Sequence, residues 1–418
     1  MARPVVVFED DRVSDLYPLT LTRPVWDLVC GVFSLGDKLR RGLEASGGRV
    51  ELGSHARGYV RTGDGGGVAS YAAFWKGQEL VPFVNGRWVF DEALFKQMDP
   101  NWAGKLVCGE TVVAANVGRG MLPELERRAD RPLDQGVFAG LPSARVEARV
   151  IAYPWDLVTT AGDELERDFS RLGGAALGSK VGAGVHLVGE DIRLGSGVIL
   201  SPGVVLDASE GPVIIEDGAS VMANASLRGP VRVGSGSTIK MGAAIYGPAS
   251  IGPGCKVGGE LGETIIHGHS NKQHEGFVGH SYLGEWVNIG AGTNTSDLKN
   301  NYSTVKAPIA GELVDSGQAF VGLFMGDHSK SGIGSVFNAG TSVGICCNIY
   351  GSDYPPKHIP SFTWGGSSGF VEHRLEAALE TARRAMARRG RALEAGPEAI
   401  LRKVFQLTAG ERSTFLGR

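Results

Sequence analysis

Ile215, Val221, Leu227, Val233, Ile239, Ile245, Ile251 and Val257 put an aliphatic side chain at every sixth position, eight times in succession. Four places after each comes a small or modest residue: Ala219, Ala225, Val231, Ser237, Ala243, Ala249, Cys255 and Leu261. A period of six fits neither a 3.6-residue helix nor simple two-residue alternation, and it marks a hexapeptide-repeat parallel β-helix. In such a coil each short flat face sends its aliphatic residue inward, three faces complete a turn, and turns stack about 4.8 Å apart. Glycine agrees. Of 63 glycines, 35 fall between Arg171 and Tyr350, and a folded region bearing that entropic cost needs glycine at recurring corners.

Outward from this core the same period runs earlier, in a shifted frame, through Leu194, Leu200 and Leu206. It returns as Phe277, Leu283 and Ile289, and again as Val321, Asp327, Ile333, Ala339 and Ile345, where Asp327 is the one exception. The frame breaks at residues 207–213, 258–275 and 295–318, where loops can leave the prism.

The chain has 418 residues, 42 Lys+Arg against 45 Asp+Glu and a net charge of −3. That balance excludes a generic nucleic-acid binder, which needs clustered surplus positive charge. With 42% hydrophobic and 21% charged residues the composition is globular, and the length suggests two or three domains. No apolar run approaches a membrane span. The start, Met1-Ala2-Arg3-Pro4 then Val5-Val6-Val7-Phe8, lacks a secretory signal's apolar stretch and cleavage site. Cys30, Cys108, Cys255, Cys346 and Cys347 form no CxxC pair and read as reduced thiols. The expected location is the cytoplasm.

Polar and titratable residues crowd the stretch from Ser270 to Thr293, which contains Asn271-Lys272-Gln273-His274, Gly279-His280-Ser281-Tyr282-Leu283-Gly284 and Val287-Asn288-Ile289-Gly290-Ala291-Gly292-Thr293. These motifs resemble the acetyltransferase domain of bifunctional glucosamine-1-phosphate acetyltransferase/N-acetylglucosamine-1-phosphate uridyltransferases. With Leu298-Lys299-Asn300-Asn301-Tyr302 they look like a variant form of that family. The resemblance implies a left-handed β-helix, a homotrimer with active sites between neighbouring prisms, and an amino-sugar phosphate and acetyl-CoA as substrates. Moving an acetyl group onto an amine requires a base, and an imidazole suits that task near neutrality. The resemblance puts this role on His280, places Tyr282 and Asn288 on the sugar, and makes Asn301 and Lys306 contacts of acetyl-CoA. Lys272 is the candidate cation for the sugar phosphate. His269 and His274 have an H-x4-H spacing, but no histidine sits a turn below them to complete a zinc site, so no metal is expected there.

Residues 1–172 mix strand-like runs at 5–8, 80–84 and 112–115 with helical stretches at 36–43 and 163–172, which suggests an α/β sandwich. The run Pro18-Leu19-Thr20-Leu21-Thr22-Arg23-Pro24 resembles the opening loop of the variant family's sugar nucleotidyltransferase domain. That likeness makes Arg23 and Lys38 candidates for nucleotide contacts and implies UTP and Mg2+ if the domain is active. Two features depart from the usual pattern. No Gly-rich loop stands at Asp11-Arg12-Val13-Ser14, and Arg87 stands where a magnesium-binding aspartate is expected. A shortened domain that binds nucleotide weakly or caps the prism is the alternative.

Pro355-Pro356 and Gly365-Gly366 end the repeat, and a helix over 372–389 carries Leu375, Leu379, Ala382 and Met386 at helical spacing. Its arginines, Arg383, Arg384, Arg388 and Arg389, read as a solvated face or as partners for CoA phosphates. A short second helix is expected over 397–405. The expected organisation is thus a nucleotidyltransferase-like α/β domain (1–172), a left-handed β-helix (173–350) and a helical tail (351–418). The expected activity is N-acetylation of an amino-sugar 1-phosphate, possible coupling to UTP being left to the N-terminal domain. Two other readings stand beside it: a nucleotidylyltransferase that its β-helix only trimerises, and a non-catalytic nucleotide-sugar binder.

Overall fold

The computed structural model describes residues 3–45, 49–63, 75 and 77–417. Each hexad becomes one prism face. Ile215 pairs in register with Val233 and Val233 with Ile251; Val221, Ile239 and Val257 stack on a second face; Leu227 and Ile245 stack on the third. All eight aliphatic residues are at most 2% exposed, so the period of six is the inward-pointing period. The faces form a 10-stranded sheet, a 6-stranded sheet and a third sheet of 5 and 4 strands, which isolated bridges through Asn288 connect. The repeat, expected to stop at 350, continues: His358–Ile359 and Thr363–Gly366 still pair onto the preceding coils. Prolines therefore interrupt the coil here without ending it.

The N-terminal unit is a mixed sheet flanked by helices. Its strands are β1 (Arg3–Phe8), β2 (Val50–His55), β3 (Leu80–Asn85), β4 (Lys105–Cys108), β5 (Thr111–Gly118) and β6 (Ser143–Arg145). They lie in the order β2-β1-β3-β5-β4-β6. The apolar run of β1 is buried from Pro4 to Phe8, as expected of a strand flanked on both edges by parallel neighbours, β2 and β3. Helix α1 spans Leu35–Ala45 and α2 spans Pro154–Arg171. The helix expected from 163 begins earlier, because Pro154 suits a first helical position and Asp156 accepts the free backbone N–H groups of Ala152 and Tyr153, both at 2.8 Å.

This unit sits on the outer surface of the ten-stranded sheet. Ile214 packs with Val32, Leu165 and Phe169. Ser250 Oγ donates to the Gly31 carbonyl at 2.6 Å, the Val29 N–H donates to Tyr282 Oη at 3.0 Å, and Phe324 meets Trp155. One of the three prism faces is thereby covered within a single chain.

At the far end, α3 (Leu375–Ala387) and α4 (Ala395–Leu407) pack on Ile345, Cys346 and Phe362 of the prism and on Leu21 of the N-terminal unit, and α5 (Ala409–Phe415) sets Phe415 against Phe370. The helix expected from 372 starts at 375 because Gly369–Glu372 is a strand paired back on Thr363–Gly366. Of its arginines, Arg383 pairs with Glu398 and Arg384 with Glu380, while Arg389 donates to the Gly254 carbonyl and to Asn271 Oδ1. Arg389 thus anchors the tail to the prism. No helix among the described residues is long and apolar enough to cross a membrane.

Candidate active site

His280 turns the corner between the six-stranded and ten-stranded sheets in left-handed backbone, φ 44°. Glu263, at φ 43°, turns the same corner one coil below, so the stacking of coils places its carboxylate on His280 Nε2. Asp297 Oδ2 lies 2.8 Å from His280 Nδ1, and the Phe320 ring stacks on the imidazole at 5.0 Å and 18°. Asp297 and Phe320 stand near the two ends of the excursion that begins at the third break in the repeat. The loop leaves and rejoins the prism around the histidine. Gly279 makes room for this: a Cβ there would lie 2.4 Å from Asp297 Oδ2 and 2.4 Å from the Phe277 ring.

Burial works against a charged imidazole here, but the hydrogen bonds of Asp297 and Glu263 and their negative charges outweigh it, holding the His280 pKa up to about 9. With its Nδ1 hydrogen on Asp297, the ring presents Nε2 toward Glu263 and the edge of the corner. A cation arriving at Glu263 would free Nε2 to take a proton. Glu263 and Asp297 were not singled out in the sequence. A signal for Glu263 existed, since it lies one coil before His280, as Leu261 lies before its register partner Val278.

The other expected residues fall elsewhere. Tyr282 points outward from the ten-stranded sheet, but that is the covered face, and the ring is fully buried with its oxygen on the Val29 N–H. The sugar-binding role expected of it is corrected to a contact between prism and N-terminal unit. Tyr282→Phe should cost about 1–2 kcal/mol by leaving that N–H without an acceptor, while KM for the acceptor stays unchanged. Chemical denaturation and initial rates check both; a raised KM at unchanged stability would restore the sugar contact.

Lys272 takes an inward position, paired in register with Val257, and is 1% exposed. Its ammonium reaches the corner carbonyls of Gly258, at 3.0 Å, and His274, and burial draws its pKa down to about 8. A phosphate outside the prism cannot reach it, so the phosphate role is corrected to a corner clamp. Asn288 lies half-buried on the third sheet, between Asn271 and Lys330, and accepts from Asn271 Nδ2 at 3.2 Å. Within one chain it does not meet His280. Asn301 and Lys306 are exposed on the excursion. Asn301 Oδ1 accepts from Ser303, and the Lys306 carbonyl accepts from Lys357.

Neither expected nucleotide contact is free in the N-terminal unit. Lys38 is fully buried between Glu164, at 2.8 Å, and Asp168, at 2.5 Å, so its nucleotide role is corrected to a bond between α1 and α2. Arg23 reaches out of its own unit to Asp327 and, at 3.5 Å, to Glu285 of the prism. Asp327, the exception in the hexad pattern, also accepts from Thr22 Oγ1 at 2.5 Å and from the Glu285 N–H at 2.8 Å. Its carboxylate clamps the two units together. The inward frame expected through Val321, Asp327 and Ile333 is corrected: Ile333 is 81% exposed, and Met325, Phe337, Val343 and Ile349 fill the prism, so Asp327 lies outside it, two places past an inward residue.

The carboxylates at the end of β1 do not fit magnesium. Asp10 receives Arg87 Nε at 2.8 Å and Nη2 at 2.5 Å, and Asn85 Nδ2 at 2.8 Å. Glu9 receives Arg57 Nε at 2.9 Å and Nη2 at 2.8 Å. Bidentate guanidinium pairing consumes the lone pairs a metal would use. Among the described residues no cluster of three or more His, Cys, Asp or Glu could hold a metal ion.

Residues 5–175 match the family model described as sugar nucleotidyl transferase. This stretch, less than half of the chain, is thus similar to the sugar nucleotidyl transferase family, and it is built against a prism of hexapeptide repeats. It is 35% identical, over 34% of its own length and 36% of the relative's, to the bifunctional sugar-1-phosphate nucleotidylyltransferase/acetyltransferase of Sulfurisphaera tokodaii. It is 34% identical to the bifunctional protein GlmU of Methanocaldococcus jannaschii, over 25% of this chain and 26% of that protein. The matches thus span about a third or less of those relatives. Among solved structures, the UDP-N-acetylglucosamine acyltransferase of Bacteroides fragilis covers 53% of this chain and 96% of its own, with a TM-score of 0.27 at 16% identity. That of Campylobacter jejuni covers 56% and 84%, with a TM-score of 0.26 at 15% identity.

Proposed function

We propose that this protein is a transferase that moves the acetyl group of acetyl-CoA onto the amine of an amino-sugar 1-phosphate, with glucosamine 1-phosphate as the acceptor. The observation that carries the reading is His280, held by Asp297 through Nδ1 and facing Glu263 through Nε2 at an accessible prism corner. The substrate ammonium is attracted to Glu263, which turns from His280 to bind it. Released from one of its two carboxylates, His280 becomes a stronger acid, loses its proton and can then serve as base. His280, its own proton lost to solvent, takes one proton from the bound ammonium and frees the amine; as the amine attacks the thioester an N–C bond forms, the C–S bond breaks, the second nitrogen proton leaves with coenzyme A as its thiol, and His280 returns its proton to solvent.

The reading includes a homotrimer. The N-terminal unit covers only the ten-stranded sheet, which leaves the outer surfaces of the other two sheets for contacts between copies. The direct test is thiol release from acetyl-CoA with and without glucosamine 1-phosphate. Acceptor-dependent release supports the reading, and none from a folded trimer refutes it.

The family-model match over residues 5–175 favours a second activity, UTP-dependent transfer onto a sugar 1-phosphate. The guanidinium pairs on Glu9 and Asp10 oppose it. We expect pyrophosphate release from UTP, magnesium and N-acetylglucosamine 1-phosphate to stay at background; sustained release would show that other carboxylates hold the metal.

A further inference from the structure

The strand Tyr282–Glu285 runs from the His280 corner to the opposite edge of the ten-stranded sheet, where a cavity of about 890 Å³ opens. Its walls come from the N-terminal loops around Arg23 and Asp37, from the prism, and from the tail between Met386 and Leu401. At this corner the first coils use glycine in left-handed backbone: Gly218, Gly236 and Gly254. The next five use His269, Trp286, His328, Cys346 and Phe362, all with φ between 51° and 60°. Side chains are disfavoured there, so each must repay its backbone strain through what it contacts. Cys346 and Phe362 do so under the tail helices. The three below them line the cavity.

Those three form a column. The His269 and Trp286 rings stack at 4.7 Å and 17°, and Trp286 and His328 are nearly parallel, 7°, at 6.3 Å. His328 Nδ1 is buried with no hydrogen-bond partner, an arrangement that costs stability unless something fills it. Burial and nearby Lys330 draw this imidazole down to about 4, so it is neutral. Charge decides what fits. Asp27, Asp37, Glu285, Asp327 and Glu394 line the space against Arg23, Arg232 and Arg391. Arg23 is shared between Asp327 and Glu285, and Arg232 is held by Glu216 from outside the space, so five carboxylates against three guanidinium groups leave a negative balance that favours an ammonium over a phosphate. The volume lies within the usual range for a small-molecule site.

We propose that this cavity is a second binding site, separate from His280, for a small hydroxylated ring bearing a primary ammonium and no phosphate: an unphosphorylated amino sugar. Glu285 receives the ammonium, the Trp286 column borders the ring, and His328 Nδ1 meets a hydroxyl. The site joins all three parts of the chain, so its occupant bridges them.

The test is titration calorimetry of the full-length His280→Ala protein, which removes the acetylation base, with glucosamine, N-acetylglucosamine and glucosamine 1-phosphate. Glucosamine should bind, and the component of binding that Glu285→Gln removes should be at least about tenfold weaker for both the N-acetyl and the phosphorylated sugar; binding that survives Glu285→Gln belongs to the His280 site. Glu285→Gln should weaken glucosamine by about tenfold or more, the usual range for losing a charged hydrogen bond. His328→Gly, which restores the glycine of the lower coils, should also weaken it while keeping the melting temperature. Within the component that depends on Glu285, equal binding of all three sugars or preference for the phosphorylated one would overturn the proposal, as would no glucosamine binding or indifference to both substitutions. Because the readout is heat of binding without turnover, its failure leaves the acetyl-transfer reading untouched.

Discussion

Replacing His280 with alanine should lower acetyl transfer to glucosamine 1-phosphate by about two to four orders of magnitude, the span a positioned general base contributes. Thiol release measures it, and an unchanged trimer in the mutant would show that the loss is chemical. The pH dependence is the sharper readout. A base accepts a proton only when neutral, and Asp297 and Glu263, against the opposing effect of burial, hold this imidazole up to about 9. In the free enzyme, kcat/KM should therefore climb through neutrality and level off only near that value. Glu263→Gln removes one of the two supporting charges, so the climb should move to lower pH while KM for the acceptor rises, because the ammonium loses its partner. Stability runs in the opposite direction. A group whose folded pKa lies above its unfolded value of about 6.5 contributes fully below that pH, and its contribution fades as pH rises through about 9. An alkaline loss of stability that Glu263→Gln diminishes is the matching observation. If Glu263→Gln left the rate profile in place, the carboxylate would not be setting this histidine's proton affinity.

The prism was legible because its period reports one physical fact, the inward direction, and nothing interrupts that count from Ile215 to Val257. It was lost where a coil shortens. Register partners Val233 and Ile251 are 18 residues apart, but Ile251 and Ile266 are 15 apart. Past that point a count of six no longer tells inside from outside, which is how Lys272, a partner of Val257 inside the prism, read as a phosphate ligand. Tyr282 was misread for another reason. Its outward direction could be inferred, but which prism face the N-terminal unit covers is a tertiary fact carried by Val29, Gly31 and Trp155. The excursion at 295–318 shows the converse: its break in the frame was visible, and its two ends prove to frame His280. What the break could not reveal was that Asp297 would supply the partner carboxylate. Arg87 stood out as a cation in a carboxylate's place, and the structure supplies the missing half, Asp10 beneath it.

Lys38→Met should destabilise the N-terminal unit by about 3–5 kcal/mol, the cost of removing one partner from a buried ion pair. The ammonium is 0% exposed and lies against two carboxylates, Glu164 and Asp168, which are themselves no more than 1% exposed. Methionine matches the length of the lysine stem, so lost packing adds little, and the effect comes from leaving negative charge without a counter-ion. Asp168 has other attachments: it accepts the Val32 N–H at 2.9 Å and the Phe33 N–H at 3.3 Å, and it pairs with Arg171 at 3.0 Å. Glu164 keeps Arg167 at 2.9 Å, so it is the easier carboxylate to neutralise. Glu164→Gln in the Lys38→Met background should therefore recover part of the loss, and the departure from additivity measures the pair directly. In a thermal scan the earliest transition should fall by roughly 10 °C for the single mutant, given the shift per kcal/mol usual for a domain of this size. The turn that Asp168 fixes carries Gly31 and precedes α1, and its neighbour Val29 meets Tyr282 on the prism, so loosening it should also weaken docking of the two units. A nucleotide-contacting lysine predicts the opposite pattern: melting unchanged and UTP binding lost. The same mutant thus separates a buried counter-ion from a ligand contact, and its burial between α1 and α2 favours the counter-ion.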